Sequence, residues 1–235
     1  MKNSKVVVVS GFGCPEHRWS NWLKPSFENV SVLGIHRVLS RASRAGIREC
    51  AKIVREELSL AKPDVLILHD FGVTFGLLAL LGLKKQGGHL PSKLIVFNGA
   101  FSGFKVWRST HPLTMQVLAS GKVERRIQLA GGELDSLLRG RWSSVKALYR
   151  EVIVASLVEG AQRILGKSFP NPFAKMPIET LVLASSNDPF IPLENVRSLA
   201  NMQPRSRLQI SEYGHFPYSI ATDDLRRSME AFVEL

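Results

Sequence analysis

The chain has 235 residues, 45% of them hydrophobic and 22% charged, which is enough apolar material for one well-buried α/β domain carrying an insertion. Its two cysteines, Cys14 and Cys50, are too few for a disulfide framework and lack metal-ligand spacing, so no metal or other cofactor is expected and a reducing cytoplasm is the expected compartment. A formal charge of +11 favours acidic partners, and no run of apolar residues approaches the roughly 20 needed to span a bilayer.

In chain order, strand and helix signals alternate. Met1 to Lys5 does not read as a signal peptide and leads into a β-branched strand from Lys5 to Ser10. Gly11-Phe12-Gly13-Cys14-Pro15 then makes a loop before a short helix over Arg18 to Leu23. Asn29 to Ile35 is a second strand. Ser43 to Leu60 is predicted helical, because Ile47, Ala51, Val54 and Leu58 recur at intervals of three and four along one face.

Asp64-Val65-Leu66-Ile67-Leu68-His69-Asp70-Phe71-Gly72 is the central stretch. A short apolar run, an abrupt His-Asp-Phe-Gly and then a second apolar run read as a buried strand, a sharp turn and a buried helix. Asp70 stands at the apex, and Gly72 supplies the position without a Cβ that so tight a reversal needs. This is the layout of a nucleophile elbow, with a carboxylate where a hydroxyl is usual.

Past the elbow helix, Gly87-Gly88 breaks the chain and Lys93 to Asn98 forms a fourth strand. Further on come a strand from Glu179 to Ala184, a helix from Glu194 to Met202, a strand from Ser206 to Glu212 and a terminal helix from Asp223 to Leu235. Six strands alternating with helices predict a doubly wound parallel sheet. Residues 104–175 break the rhythm and read as a helical insertion over the mouth of the sheet, clearest from Ser143 to Leu165. Twelve of its residues are basic (Lys105, Arg108, Lys122, Arg125, Arg126, Arg139, Arg141, Lys146, Arg150, Arg163, Lys167, Lys175) and five are acidic. Such an excess fits a solvated helical face or a docking surface for an anionic substrate or an acidic protein. The arginines are not interleaved with aromatics as in a nucleic-acid module, so nucleic acid is not expected.

With these features the chain resembles the α/β-hydrolases, and its His-Asp-Phe-Gly elbow resembles the aspartate-nucleophile branch of epoxide hydrolases and haloalkane dehalogenases. The resemblance implies a core of residues 1–103 and 176–235, a mainly parallel six-stranded sheet without the first two family strands, and a cap at 104–175. Ser10-Gly11-Phe12-Gly13-Cys14-Pro15-Glu16 resembles the family loop that donates to the oxyanion hole, which implies backbone donors at Phe12 or Gly13 together with Phe71. Glu16 occupies the third glycine position of a dinucleotide fingerprint and argues against that alternative. Ser185-Ser186-Asn187-Asp188-Pro189 resembles the acid loop, and Tyr213-Gly214-His215-Phe216-Pro217 the histidine loop, in the family's order of nucleophile, acid, histidine.

The implied chemistry joins Asp70 as nucleophile, His215 as base and Asp188 as its orienting acid, on a small-molecule substrate. A carboxylate that attacks an alkyl carbon forms an ester that water can cleave, whereas a serine would form a stable ether. The indole expected beside the nucleophile for halide is replaced by Phe71, and Tyr149 is the one tyrosine in the insertion, so Trp107, His111 and Trp142 join it as candidate donors in the substrate pocket, which Phe216 is also expected to line. Epoxide or ether-like substrates stand slightly ahead of halides. Three alternatives stay open: an ester or thioester hydrolase, a lyase, isomerase or cyclase in the same pocket, and a scaffold without catalysis that binds an acidic partner. His69 reads as a buried, hydrogen-bonded support, and His17, His36, His89 and His111 as surface or loop residues.

Overall fold

The computed structural model describes residues 3–11, 14–42, 46–99, 176–218 and 223–234. Residues 104–175, where an insertion with a helix from Ser143 to Leu165 is expected, lie outside the described residues. The chain runs β1 (Lys5–Ser10), α1 (Glu16–Leu23), β2 (Asn29–Gly34), α2 (Ile35–Arg41), α3 (Ile47–Ala61), β3 (Val65–His69), α4 (Phe71–Lys85) and β4 (Lys93–Phe97). It resumes with β5 (Glu179–Ser185), α5 (Leu193–Met202), β6 (Ser206–Ser211) and α6 (Asp223–Glu234).

The strands form one sheet in the order β2-β1-β3-β4-β5-β6, with every pairing parallel. Parallel strands need crossovers, and these cover both faces with helices. Alternate residues of each strand therefore feed two separate cores. Val7, Val9, Leu66, Leu68, Leu94, Val96 and Val182 pack with α2, α3, α4 and α5 on one face. Val6, Val8, Val65, Ile67, Ile95, Phe97 and Leu181 pack with Trp19 and Leu23 of α1 and Leu225, Met229 and Phe232 of α6 on the other. The chain reverses its direction of travel across the sheet between β1 and β3, so a crevice opens at their carboxyl ends.

Two elements differ from the sequence expectation. The second strand stops at Gly34 and gives way at once to α2, whose Ile35, Val38 and Leu39 are buried. Those three residues have helical spacing, but the short helix abuts the strand with no turn between them, so the apolar run reads as one strand. The long helix begins at Ile47, because Gly46 before it is extended at φ −131°.

β3 is buried along its whole length and its central Leu66, Ile67 and Leu68 are inaccessible. Each such side chain contributes about 1.5–3 kcal/mol of burial. α4 lies close enough to β1 that a Cβ on Gly72 would overlap the Val9 carbonyl oxygen. That neighbour is backbone and cannot step aside. Gly72→Ala is expected to destabilise the fold by about 3 kcal/mol in urea unfolding. Gly87→Ala, where the left-handed φ of 65° is the sole obstacle, should cost about 1–2 kcal/mol.

Candidate active site

The strand register sets the site out in a row. Val9 pairs with Leu68 and His69 with Phe97, so Gly11, Asp70 and Asn98 stand level at the carboxyl edge. Asp70 occupies the N-cap position of α4 with φ 53° and ψ −123°, a combination that L-residues avoid. Holding it there costs about 1–3 kcal/mol, and such strain collects at functional positions. An aspartate at an N-cap normally turns back to bond its own helix's N–H groups. Asp70 makes no such cap bond. Its carboxylate lies instead against Gly11, where a Cβ would overlap Oδ2. The positive end of α4 favours a negative charge at this point.

The histidine loop delivers an imidazole to the same edge. His215 Nδ1 lies 2.8 Å from Asp188 Oδ2, and the two side chains are 4% and 1% exposed. A carboxylate oxygen only accepts, so Nδ1 carries the proton and Nε2 presents a lone pair. The other oxygen of Asp188 accepts from the backbone N–H groups of Phe190 and Ile191 at 2.7 and 3.0 Å, which locks the carboxylate's orientation. Burial alone would lower the His215 pKa. The charge and hydrogen bond of Asp188, joined by the charge of Asp70, outweigh it and raise the imidazole above its ordinary value of 6.5.

Two buried donors hold the backbone of His215. His69 Nε2 and Asn98 Nδ2 both lie 3.0 Å from its carbonyl oxygen, and Asn98 also reaches Gly214 O at 2.8 Å. Asn98 Oδ1 accepts from Ser185 N–H and the Tyr213 hydroxyl, so one amide ties the end of β4 to the acid loop and the histidine loop together. Asn98 has φ 39°, which an asparagine adopts more readily than most residues. Asn187 closes the bridge, its Oδ1 accepting from the Ser185 hydroxyl and Gly214 N–H.

The structure thus brings Asp70, Asp188 and His215 to one edge, with Phe71 opening α4 next to Asp70. Phe216 is wholly buried, its ring 4.7 Å from that of His215, in the core formed with Trp19 and Phe97. Phe12, Gly13, Trp107, His111, Trp142 and Tyr149 lie outside the described residues. His69 is a buried, hydrogen-bonded support. His17 and His89 are exposed, and His36 sits half-buried 3.5 Å from Glu16. Sequence reasoning missed Asn98 as an organiser. A strand that ends in a buried asparagine followed by Gly99 was the available signal. Among the described residues no His, Cys, Asp and Glu side chains gather into a metal-binding group, and no helix is long and apolar enough to cross a membrane.

The sheet order and the elbow are those of the α/β-hydrolase fold, and solved structures agree. RedJ, a thioesterase from the prodiginine biosynthetic pathway in Streptomyces coelicolor, superposes with a TM-score of 0.66 at 15% identity over 97% of this chain and 89% of its own. The hydrolase olei00960 from Oleispira antarctica gives 0.61 at 17% over 99% and 92%. The meta-cleavage product hydrolase CumD from Pseudomonas fluorescens IP01, in a mutant form complexed with acetates, gives 0.58 at 14% over 100% and 92%. At these identities the likeness is one of fold. No protein-family model and no curated protein sequence matches the chain.

Three outcomes are expected of the site. Asp70→Gly should be more stable than Asp70→Ala by about 1 kcal/mol in thermal unfolding, because glycine accepts the elbow conformation and alanine does not. A base must be neutral to take a proton, so the acid limb of kcat/KM should lie above pH 6.5. Asp188→Asn removes the main cause of the raised pKa, and its limb should move to lower pH while kcat falls by about 10³-fold or more.

Proposed function

We propose that the protein is a hydrolase in which Asp70 is the nucleophile, His215 the base and Asp188 the acid that orients it. One observation carries the reading: an aspartate held in a strained elbow, making no cap bond to the helix it begins, within the field of a carboxylate-paired imidazole. A structural N-cap would relax and turn inwards.

In the first step a carboxylate oxygen of Asp70 attacks an sp³ carbon of the substrate. The bond from that carbon to an epoxide oxygen or halide breaks, and an alkyl ester forms on Asp70. The leaving oxygen takes a proton from a donor, for which the insertion offers Trp107, His111, Trp142 and Tyr149 on sequence grounds. In the second step His215 Nε2 removes a proton from water, and the hydroxide attacks the ester carbonyl carbon. Backbone N–H groups of Phe71 and of Phe12 or Gly13 hold the oxyanion. Collapse expels the product alkoxide, which takes its proton from His215, and the carboxyl group left on Asp70 gives up the second proton of the water, to the group that protonated the epoxide oxygen or, after halide departure, to solvent. The basic insertion, with twelve cationic residues against five acidic ones, would draw anionic substrates to the mouth.

A second reading, hydrolysis of a carboxylic ester or thioester with Asp70 as general base or as an anhydride-forming nucleophile, is favoured by the structural neighbours. Those include the thioesterase RedJ, an esterase from Exiguobacterium antarcticum and Est816, an N-acyl homoserine lactone degrading enzyme. An intermediate trap separates the two. His215→Gln, incubated with a panel of aryl epoxides, bromoalkanes and aryl esters, should gain on the peptide that contains Asp70 the full mass of an epoxide, or the mass of a bromoalkane less HBr. Single turnover of the native enzyme in ¹⁸O-water should place the label in Asp70 and not in the product. Label found directly in a carboxylic acid product, with no alkyl adduct in the trap, would select the ester reading.

A further inference from the structure

Behind the site lies a buried pair that none of these steps uses. His69 ends β3 next to Asp70 and is fully buried, with Nδ1 3.2 Å from Cys14 Sγ and Nε2 3.0 Å from His215 O. A carbonyl oxygen cannot donate, so Nε2 carries the ring's proton and Nδ1 is a bare lone pair. The thiol then has to supply the hydrogen at Nδ1. The chain of donors has a fixed direction, from Cys14 S–H to His69 and from His69 N–H to the base's main chain.

A cysteine beside a histidine can be a nucleophilic couple, but this pair is held neutral. Burial, reinforced by the charge of Asp70, pushes the Cys14 thiol well above its usual range. Burial, reinforced by the charge of His215, holds the His69 ring well below its own. Neither a thiolate nor an imidazolium is favoured here.

We propose that Cys14 and His69 form a positioning relay that sets His215, resting on the reading of His215 as the base. The relay connects three parts of the site. Cys14 closes the loop that follows β1, where the Ser10 hydroxyl donates to the Cys14 carbonyl at 3.4 Å and Phe12 and Gly13 are the proposed oxyanion donors. His69 shares its backbone with Asp70. The His215 carbonyl completes the link, with Asn98 as its second donor. Trp19 and Phe216 pack against the His69 ring at centroid distances of 5.6 and 5.9 Å and keep it from turning over. A shift in the loop after β1 is therefore transmitted through one thiol and one ring to the base. Loss of the relay leaves Asn98 alone on the His215 carbonyl, and the imidazole loses its register between Asp188 and Asp70.

The test compares Cys14→Ser, Cys14→Ala, His69→Leu and the double variant Cys14→Ala with His69→Leu. Its main readout is an NMR titration of the His215 ring in the folded proteins, which needs no substrate. Cys14→Ser keeps a hydrogen to donate and should titrate as the native protein does. Cys14→Ala and His69→Leu should shift the titration down towards 6.5, and the double variant no further than His69→Leu. With a panel compound, kcat should fall about tenfold or more in the last three variants with KM little changed. A lowered melting temperature with the His215 titration unmoved would overturn the relay and leave a merely structural pair. Effects that multiply in the double variant would overturn it as well. The expected order of titrations, together with turnover of a panel compound that leaves no adduct on Asp70 in His215→Gln, would support the relay and overturn the nucleophile reading instead.

Discussion

The constraint on which the site depends is the backbone of Asp70, bent to φ 53° and ψ −123° between a fully buried strand and a buried helix. Neither flank can relax it. β3 is held on both sides by parallel ladders to β1 and β4, and α4 is pressed so close to β1 that the Val9 carbonyl leaves no room for a Cβ on Gly72. The strain of about 1–3 kcal/mol is small beside the burial of three central strand side chains at about 1.5–3 kcal/mol each. A rigid core thus fixes an unfavourable turn, and the turn fixes a carboxylate. The same reversal starts a helix whose positive end faces that carboxylate.

Two aspartates border one imidazole, and their surroundings divide their roles. Asp188 has one oxygen engaged by two backbone N–H groups and the other by His215, so it can orient and stabilise but has no oxygen left to attack with. Asp70 makes no cap bond and faces Gly11. The charges of the two aspartates act together on His215, which is raised despite a burial that pulls the other way. The imidazole is set by its neighbours rather than by contact with solvent.

Much of this was legible in the chain because it is written in local pattern. A β-branched run from Lys5 to Ser10, the apolar-His-Asp-Phe-Gly stretch and the order Asp70, Asp188, His215 each depend on residues adjacent in sequence, and β1, β3 and β4 lie where periodicity places them. What escaped is non-local or without a break. α2 follows β2 directly, with the single Gly34 as both the last strand residue and the helix cap, too little to divide two apolar stretches. Asn98 is a single residue whose side chain has four partners 87 to 117 positions away. No windowed pattern can weigh a residue whose importance comes from bridging two loops that the sheet order alone brings together. The contact between Cys14 and His69 spans 55 residues and is hidden for the same reason.

The α/β-hydrolase fold explains how low sequence identity coexists with this arrangement. Backbone supplies most of the geometry: the elbow dihedral, the N–H groups at the start of α4, and the loop ends aligned by register. A side-chain change at the apex then alters chemistry without disturbing placement. A hydroxyl there forms a labile ester with an acyl carbon but a stable ether with an alkyl carbon. A carboxylate inverts that preference, since its acyl product is a high-energy anhydride and its alkyl product an ester that a neighbouring imidazole can help hydrolyse. If Asp70 is the nucleophile proposed above, residue 70 would decide which kind of carbon gives a complete catalytic cycle, and aspartate would favour the tetrahedral one.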